Sequence, residues 1–214
     1  MHQSVKNLIS IKKELESISN NLPSIIAVSK TFPISNILPL IEYGHVHFGE
    51  NKVQEALEKW KNIKEQFSQI KLHMVGKLQT NKVKFALPLF DFIHSLDNEK
   101  LAKKIASEQT KYVKKPKIFI QVNIGDENQK SGIDKNDLKN FYNYCNELNL
   151  DIIGLMCIPP VDVKTDVFFK EMIFLKNNLS LPDLSMGMSS DYLDATKNFS
   201  TYIRIGSKIF GERS

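Results

Sequence analysis

The stretch Ser24-Ile-Ile-Ala-Val-Ser-Lys-Thr-Phe-Pro33 decides between two α/β architectures. Its apolar run, residues 25–29, is a short buried strand that follows Pro23. An open doubly wound sheet built around a dinucleotide would continue into G-x-G-x-x-G, and here Ser29-Lys-Thr-Phe-Pro33 stands in its place. A Walker A loop is also absent. Further along the chain, seven more strand-like runs occupy residues 46–48, 71–75, 90–94, 117–122, 150–156, 183–186 and 201–205. Helical patterns fall between them, among them 34–43, 52–67, 99–113, 135–148 and 163–175. Eight strands with helical crossovers predict a closed parallel sheet, a single (β/α)8 TIM-type barrel over residues 1–214. An amphipathic N-terminal stretch, 5–18, carries Leu8, Ile11, Leu15 and Ile18 and predicts an additional helix that plugs or flanks the barrel's bottom.

Composition fits that reading. At 214 residues and 24.5 kDa the chain has room for one such domain. The 42% hydrophobic and 25% charged content excludes disordered, collagen-like and disulfide-scaffold classes. Cys145 and Cys157 have neither CxxC spacing nor a Cys/His cluster, so they read as buried small hydrophobes. No apolar run approaches the roughly 18 residues of a membrane span, and the start lacks a signal-peptide apolar core. The expected location is the cytoplasm. A net charge of +5 and a pI near 9.0 raise the question of nucleic acid. Lysine makes up 27 of the 29 basic residues, however, and is spread along the chain among acids, which marks a solvated surface.

Chemistry in such a barrel collects at the carboxyl ends of the strands. Ile26, Val28 and Lys30 share a face by two-residue alternation, which points the lysine into the barrel mouth. A desolvated amine there can form a Schiff base with an aldehyde; the competing reading is an ammonium that snorkels into water. Near the other end, Ser185-Met-Gly-Met-Ser189 puts Ser189 at the N-cap of a short helix, and Arg204-Ile-Gly-Ser207 supplies a bare backbone and a hydroxyl. Loops after strands seven and eight are the usual phosphate site of these barrels, although capping and turn formation explain each residue singly. Arg204, one of two arginines in a lysine-rich chain, implies a need for a planar, permanently charged fork. An aldehyde-binding lysine, a phosphate cup and a cation for a heteroaromatic nitrogen together describe pyridoxal 5′-phosphate (PLP). His45 and His47 lack a third metal ligand in sequence and read as core or rim histidines.

The ordered motifs Ala27-Val-Ser-Lys-Thr31, His47-Phe-Gly-Glu-Asn51 with Val53-Gln-Glu55, His73-Met-Val-Gly76 with Leu78-Gln-Thr-Asn-Lys82, Asp126-Glu-Asn-Gln-Lys-Ser-Gly132, Gly154-Leu-Met156 with Ile158-Pro-Pro160, Ser185-Met-Gly-Met-Ser-Ser-Asp191 and Arg204-Ile-Gly-Ser-Lys-Ile-Phe-Gly211 cover nearly the whole chain. In that order they resemble the YggS-type PLP homeostasis protein family. The resemblance implies a PLP-binding barrel similar to the N-terminal domain of alanine racemase, with PLP held as a lysine aldimine. The family acts in vitamin B6 and amino-acid homeostasis without established turnover. Carried over by motif, Lys30 resembles the aldimine lysine and Arg204 the arginine facing the pyridine nitrogen. Ser189, Gly206 and Ser207 resemble the phosphate cup, Asn51 and His73 match positions lining the pocket, and Lys130 matches a loop lysine near its mouth.

Three positions depart from the family pattern: Phe32 replaces a residue commonly basic, Leu72 stands where Trp is usual, and Asn198-Phe-Ser200 lacks a glycine common before the last strand. The expectation is a monomeric, non-enzymatic protein that buffers or delivers PLP, with PLP-dependent apoenzymes as candidate recipients and neither nucleic acid nor membrane as partner. The alternative is a PLP-dependent amino-acid racemase. Racemisation needs a second acid/base group on the opposite face of the cofactor, which in the racemases comes from an added β domain, and the sequence given ends three residues after Gly211.

Overall fold

Strands rich in Ile, Val, Leu and Phe cannot leave either face in water, and they find cover by closing on themselves beneath a ring of helices. A computed structural model of the chain describes residues 1–127, 131–161 and 163–212. The first half runs α1 (Gln3–Glu16), β1 (Ser24–Val28), α2 (Ile34–Glu42), β2 (His47–Glu50), α3 (Val53–Gln66), β3 (Lys71–Met74), a 3₁₀ turn (Thr80–Lys82), α4 (Val83–Ala86) and β4 (Phe92–Leu96). The second half continues with α5 (Glu99–Gln109), β5 (Lys117–Val122), α6 (Leu138–Glu147), β6 (Ile152–Cys157), α7 (Asp166–Asn178), β7 (Asp183–Ser185), α8 (Tyr192–Lys197), β8 (Tyr202–Ile205) and α9 (Ser207–Phe210). Each strand pairs in parallel with its sequence neighbour, and β8 returns to β1 with Ile26 opposite Arg204 and Ala27 opposite Ile205. The sheet is a closed (β/α)8 barrel, as the alternation predicts.

Helices cover the outer face through apolar stripes. Trp60 on α3, fully buried, packs on Phe48 of β2 with ring centroids 4.9 Å apart. The N-terminal helix α1 buries Val5, Leu8, Ile11 and Leu15 against α2, α8 and α9. Asn7 Nδ2 donates to the Ile209 carbonyl at 2.9 Å, and Tyr192 Oη donates to Glu14. The helix therefore flanks the barrel where its first and last units meet.

Boundaries shift where a side chain intervenes. β4 begins at Phe92 rather than residue 90, because Asp91 just before it takes the Leu72 N–H at 2.8 Å and pairs with Lys64 and Lys114. The unit between β3 and β4 carries only the 3₁₀ turn and one turn of α-helix, too short to show helical periodicity in sequence. Two departures from the family pattern acquire structural settings. Leu72 is fully buried, and Phe199 sits exposed at φ +59°, a left-handed conformation that glycine adopts without strain.

Candidate functional site

One cavity of about 580 Å³ opens at the carboxyl ends of β1, β2, β7 and β8. Lys30 and Phe32 after β1, Asn51 after β2, Ser189 and Ser190 after β7, Arg204 within β8, and Gly206 and Ser207 after β8 all line it. Six of the seven site residues expected from sequence are thus brought together; His73 is not among them.

Lys30 is set by its chain neighbours. Thr31 adopts φ +69°, unusual for a β-branched residue and costing on the order of 1–3 kcal/mol unless the surroundings hold it. They do: Glu55 Oε1 accepts the Thr31 N–H at 2.5 Å. On the other side, Ser29 Oγ donates to Glu50 Oε1 at 2.8 Å, and Lys59 Nζ donates to the Ser29 carbonyl at 2.9 Å. The same ammonium pairs with Glu50 at 2.9 Å and Glu55 at 3.0 Å, and Trp60 Nε1 donates to Glu50 at 2.8 Å. A Glu50–Lys59–Glu55 cluster, buried at Glu50 and partly exposed at Glu55, therefore clamps the backbone before and after Lys30. Sequence reading assigned no role to this cluster; the i,i+4 spacing of Glu55 and Lys59 on α3, next to the single Trp, is its trace in the sequence.

Arg204, 5% exposed, spends one N–H on Ser185 Oγ at 2.7 Å and one on the Cys157 carbonyl at 2.9 Å. A guanidinium has five N–H donors and keeps its charge in proteins, so donors remain for a ligand in the cavity it lines. Burial pulls its proton affinity down, and the nearby Asp191 partly restores it. No described residue forms an ion pair with it.

At the β7–β8 end the bare backbone of Gly206 is informative. A Cβ there would meet only ordinary contacts, Val28 O at 3.4 Å and Val28 Cβ at 3.6 Å, so protein packing does not demand glycine. The bare backbone leaves room there for a ligand to approach closely. Gly76 differs: its Cβ would fall 2.4 Å from the Asn51 carbonyl oxygen, so this glycine lets β3 press against Asn51 and hold it at the cavity wall. The expected N-cap role of Ser189 is corrected. The N-cap of α8 is Asp191, whose carboxylate accepts the Met188 N–H at 2.6 Å, leaving Ser189 and Ser190 on the turn that faces the cavity.

With this geometry in place, comparison with known proteins adds a lineage. Residues 7–214 match the family model for the N-terminal domain of alanine racemase. The chain belongs to this family. Among curated members, the Pyridoxal phosphate homeostasis protein of Haemophilus influenzae is 38% identical, covering 97% of this chain and 94% of its own. The protein of the same description from Aquifex aeolicus is 37% identical, with 90% and 88% covered. PipY of Synechococcus elongatus PCC7942, solved without PLP, superposes with TM-score 0.90 at 33% identity, covering 98% of this chain and all of that one. Its PLP-bound structure gives TM-score 0.87 at 32% identity, with 98% of this chain and 100% of that one covered. The chain is therefore similar along almost its whole length to the homeostasis branch of the family.

Within the family barrel the remaining residues of interest fall below the cavity, at its rim or outside the described residues. His73 is the third residue of β3, wholly buried in the barrel interior, with its ring nitrogens 2.9 Å from His47 and 2.9 Å from His94. Burial drives His73 and His94 well below the ordinary imidazole pKa, the neighbouring histidines and Arg204 adding to it. His47, half-buried, is lowered by burial and by Lys71, against a smaller opposing effect of Asp91. His45 precedes β2 and packs edge-on to Phe48, its pKa lowered to about 4 mainly by burial. Phe32, the first departure from the family pattern, stacks on Phe210 at 5.0 Å and gives the mouth an apolar rim. Lys130 lies outside the described residues. Among the described residues no helix is long and apolar enough to cross a membrane.

Proposed function

We propose that this chain binds PLP in the β1/β2/β7/β8 cavity and buffers or delivers it within the cell, as a monomeric, cytoplasmic, non-catalytic cofactor carrier. The observation that carries the reading is the convergence, in one cavity, of an amine, a permanently charged fork and a hydroxyl-lined turn with a bare glycine. These match the aldehyde, ring nitrogen and phosphate of PLP, and they come from residues about 175 positions apart in the chain.

PLP supplies an aldehyde that amines capture reversibly and a ring that withdraws electrons. Lys30 is the covalent anchor, its backbone held by Glu50, Lys59 and Glu55. Ser189, Ser207 and the Gly206 backbone receive the phosphate, and Asn51 borders the ring. Arg204, always protonated, gives a hydrogen bond to the ring nitrogen and leaves that nitrogen unprotonated, which weakens electron withdrawal. Weak withdrawal suits storage better than carbanion chemistry. PipY, solved with PLP bound, and the curated relatives described as pyridoxal phosphate homeostasis proteins support the same ligand. PLP-dependent apoenzymes are the proposed recipients.

An absorption spectrum of the purified protein before and after borohydride, followed by peptide mapping, tests this reading. The expected adduct is on Lys30, and Lys30→Ala folds but yields none; an adduct on another lysine overturns the assignment. The racemase reading draws on the family model alone. The alanine racemase of Clostridium difficile, at 13% identity, shares the fold at TM-score 0.75, and the match spans 57% of that chain. Sustained conversion of L-alanine to D-alanine in heavy water, lost in Lys30→Ala, would favour it over the carrier.

A further inference from the structure

Beneath the cavity, a line of polar groups crosses a barrel interior of the kind ordinarily filled by branched aliphatics. Arg204 on β8 donates to Ser185 Oγ on β7 at 2.7 Å, and Ser185 Oγ lies 2.9 Å from His94 Nδ1 on β4. His94 Nε2 lies 2.9 Å from His73 Nδ1 on β3, and His73 Nε2 lies 2.9 Å from His47 Nδ1 on β2. Phe92 stacks on His73 at 4.2 Å and 6°, and Phe119 on His94 at 4.3 Å and 15°, so both rings are fixed in orientation. Tyr202 packs against all three histidines.

We propose that Ser185, His94, His73 and His47 form a one-directional hydrogen-bond relay that positions the Arg204 guanidinium toward the ring nitrogen of the bound cofactor. This rests on the PLP reading above. Ser185 and His94 are positioning residues for Arg204, and His73, which the family resemblance suggested as a pocket residue, acts through them.

The direction follows from counting protons. Guanidinium nitrogens only donate, so Ser185 Oγ accepts from Arg204, and its own proton goes to its other partner, His94 Nδ1. A neutral imidazole carries one proton. His94 therefore donates from Nε2 to His73 Nδ1, and His73 donates from Nε2 to His47 Nδ1. Every buried donor and acceptor along the line is then matched. The reverse order would make His94 Nδ1 donate to Ser185 and leave the serine proton without an acceptor among its described contacts. The charged groups acting on the line are Arg204 at His94 and Lys71 and Asp91 at His47; at His73 they are Lys64 and, when protonated, the other histidines. Beyond the nearby Asp191, a neutral support adds no charge that cancels that of Arg204, whereas a carboxylate in the place of Ser185 would.

Two measurements decide the proposal. Long-range proton–nitrogen NMR of the full chain reads each imidazole tautomer; His47, His73 and His94 should all be neutral with the proton on Nε2. A proton on Nδ1 of His94 or His73 overturns the relay. Ser185→Ala and His94→Phe are then titrated with PLP and with an analogue that has carbon in place of the ring nitrogen. PLP affinity should fall about tenfold and the absorption maximum of bound PLP should shift, while affinity for the analogue changes less than threefold. Equal falls for both ligands, or no fall for either, would overturn the positioning role. If the wild-type chain binds neither ligand, the PLP reading fails, and the tautomers alone decide whether the relay exists.

Discussion

Lys30 is supported by charges, whereas Arg204 is supported by neutral groups. Around Lys30, two carboxylates and an ammonium lock the backbone on either side and hold Thr31 in a left-handed conformation. Around Arg204, a serine hydroxyl and a backbone carbonyl accept the guanidinium protons, and neutral histidines continue beyond. The difference has a physical purpose. Buried charges need partners, and Lys59 supplies one cation to Glu50 and Glu55 while shaping the chain, leaving the cluster with one net negative charge. Arg204 is hydrogen-bonded only to neutral groups and feels the Asp191 carboxylate without an ion pair, so donors remain for a ligand acceptor in the cavity.

The phosphate end belongs to neither support, and removing it separates ligand charge from both. The double change Ser189→Ala/Ser207→Ala is expected to weaken PLP by roughly 3–6 kcal/mol, two charge-assisted hydrogen bonds, and unphosphorylated pyridoxal far less. Comparative titrations check this; equal weakening of the two ligands would reduce the serines to turn formers.

Lys59→Met breaks the charged support. Glu50, fully buried, would lose its cation while keeping the Ser29 and Trp60 hydrogen bonds, at a cost of about 3–5 kcal/mol in folding stability. A urea unfolding series measures it, and a loss under 1 kcal/mol would mean that the clamp does not depend on charge.

Acid tests the neutral support. His73 and His94 titrate well below 6.5 in the folded chain, and His45 titrates at about 4, while all three titrate near 6.5 when unfolded. Stability is therefore constant, as far as they matter, above 6.5. As pH falls below that value the unfolded chain takes up protons first, and each group removes up to about 1.4 kcal/mol per pH unit. Together they predict that stability falls as pH drops through 6 towards 5, by at most about 4 kcal/mol per pH unit. Unfolding free energies across that interval provide the measurement; a flat profile would put charged histidines in the folded barrel.

Phe199→Gly is the control outside both regions. Relief of the left-handed strain, about 1–2 kcal/mol, is partly offset by the extra freedom of glycine in the unfolded chain, so stability should rise by roughly 0.5–1 kcal/mol with PLP affinity unchanged. Thermal unfolding with and without PLP checks both parts.

Legibility in the sequence followed the range of the signal. All eight strands were visible because a run such as Ile118-Phe-Ile-Gln-Val122 is buried on both faces and carries its own pattern. Lys30 and Arg204 were visible through alternation and composition. α4 was not, since four residues cannot display a 3.6-residue period. Ser189 was misread as a cap because α8 starts two residues later than expected, with Asp191 at the N-cap position and its carboxylate turned back onto the Met188 N–H.

By itself the sequence determined the alternation of strands and helices, the closed-sheet class and the residue types able to meet an aldehyde, a phosphate and a ring nitrogen. It could say which residues of a strand share a face, because side chains alternate along it, and by family resemblance it set His73 in the pocket wall. How deep an inward residue lies depends on how the strands stagger as the barrel closes, and stagger is a property of all eight strands together. Only the tertiary structure therefore placed Ser185 within 2.9 Å of His94, 91 residues away in the chain, and carried the line on through His73 to His47, below the cavity rather than in its wall.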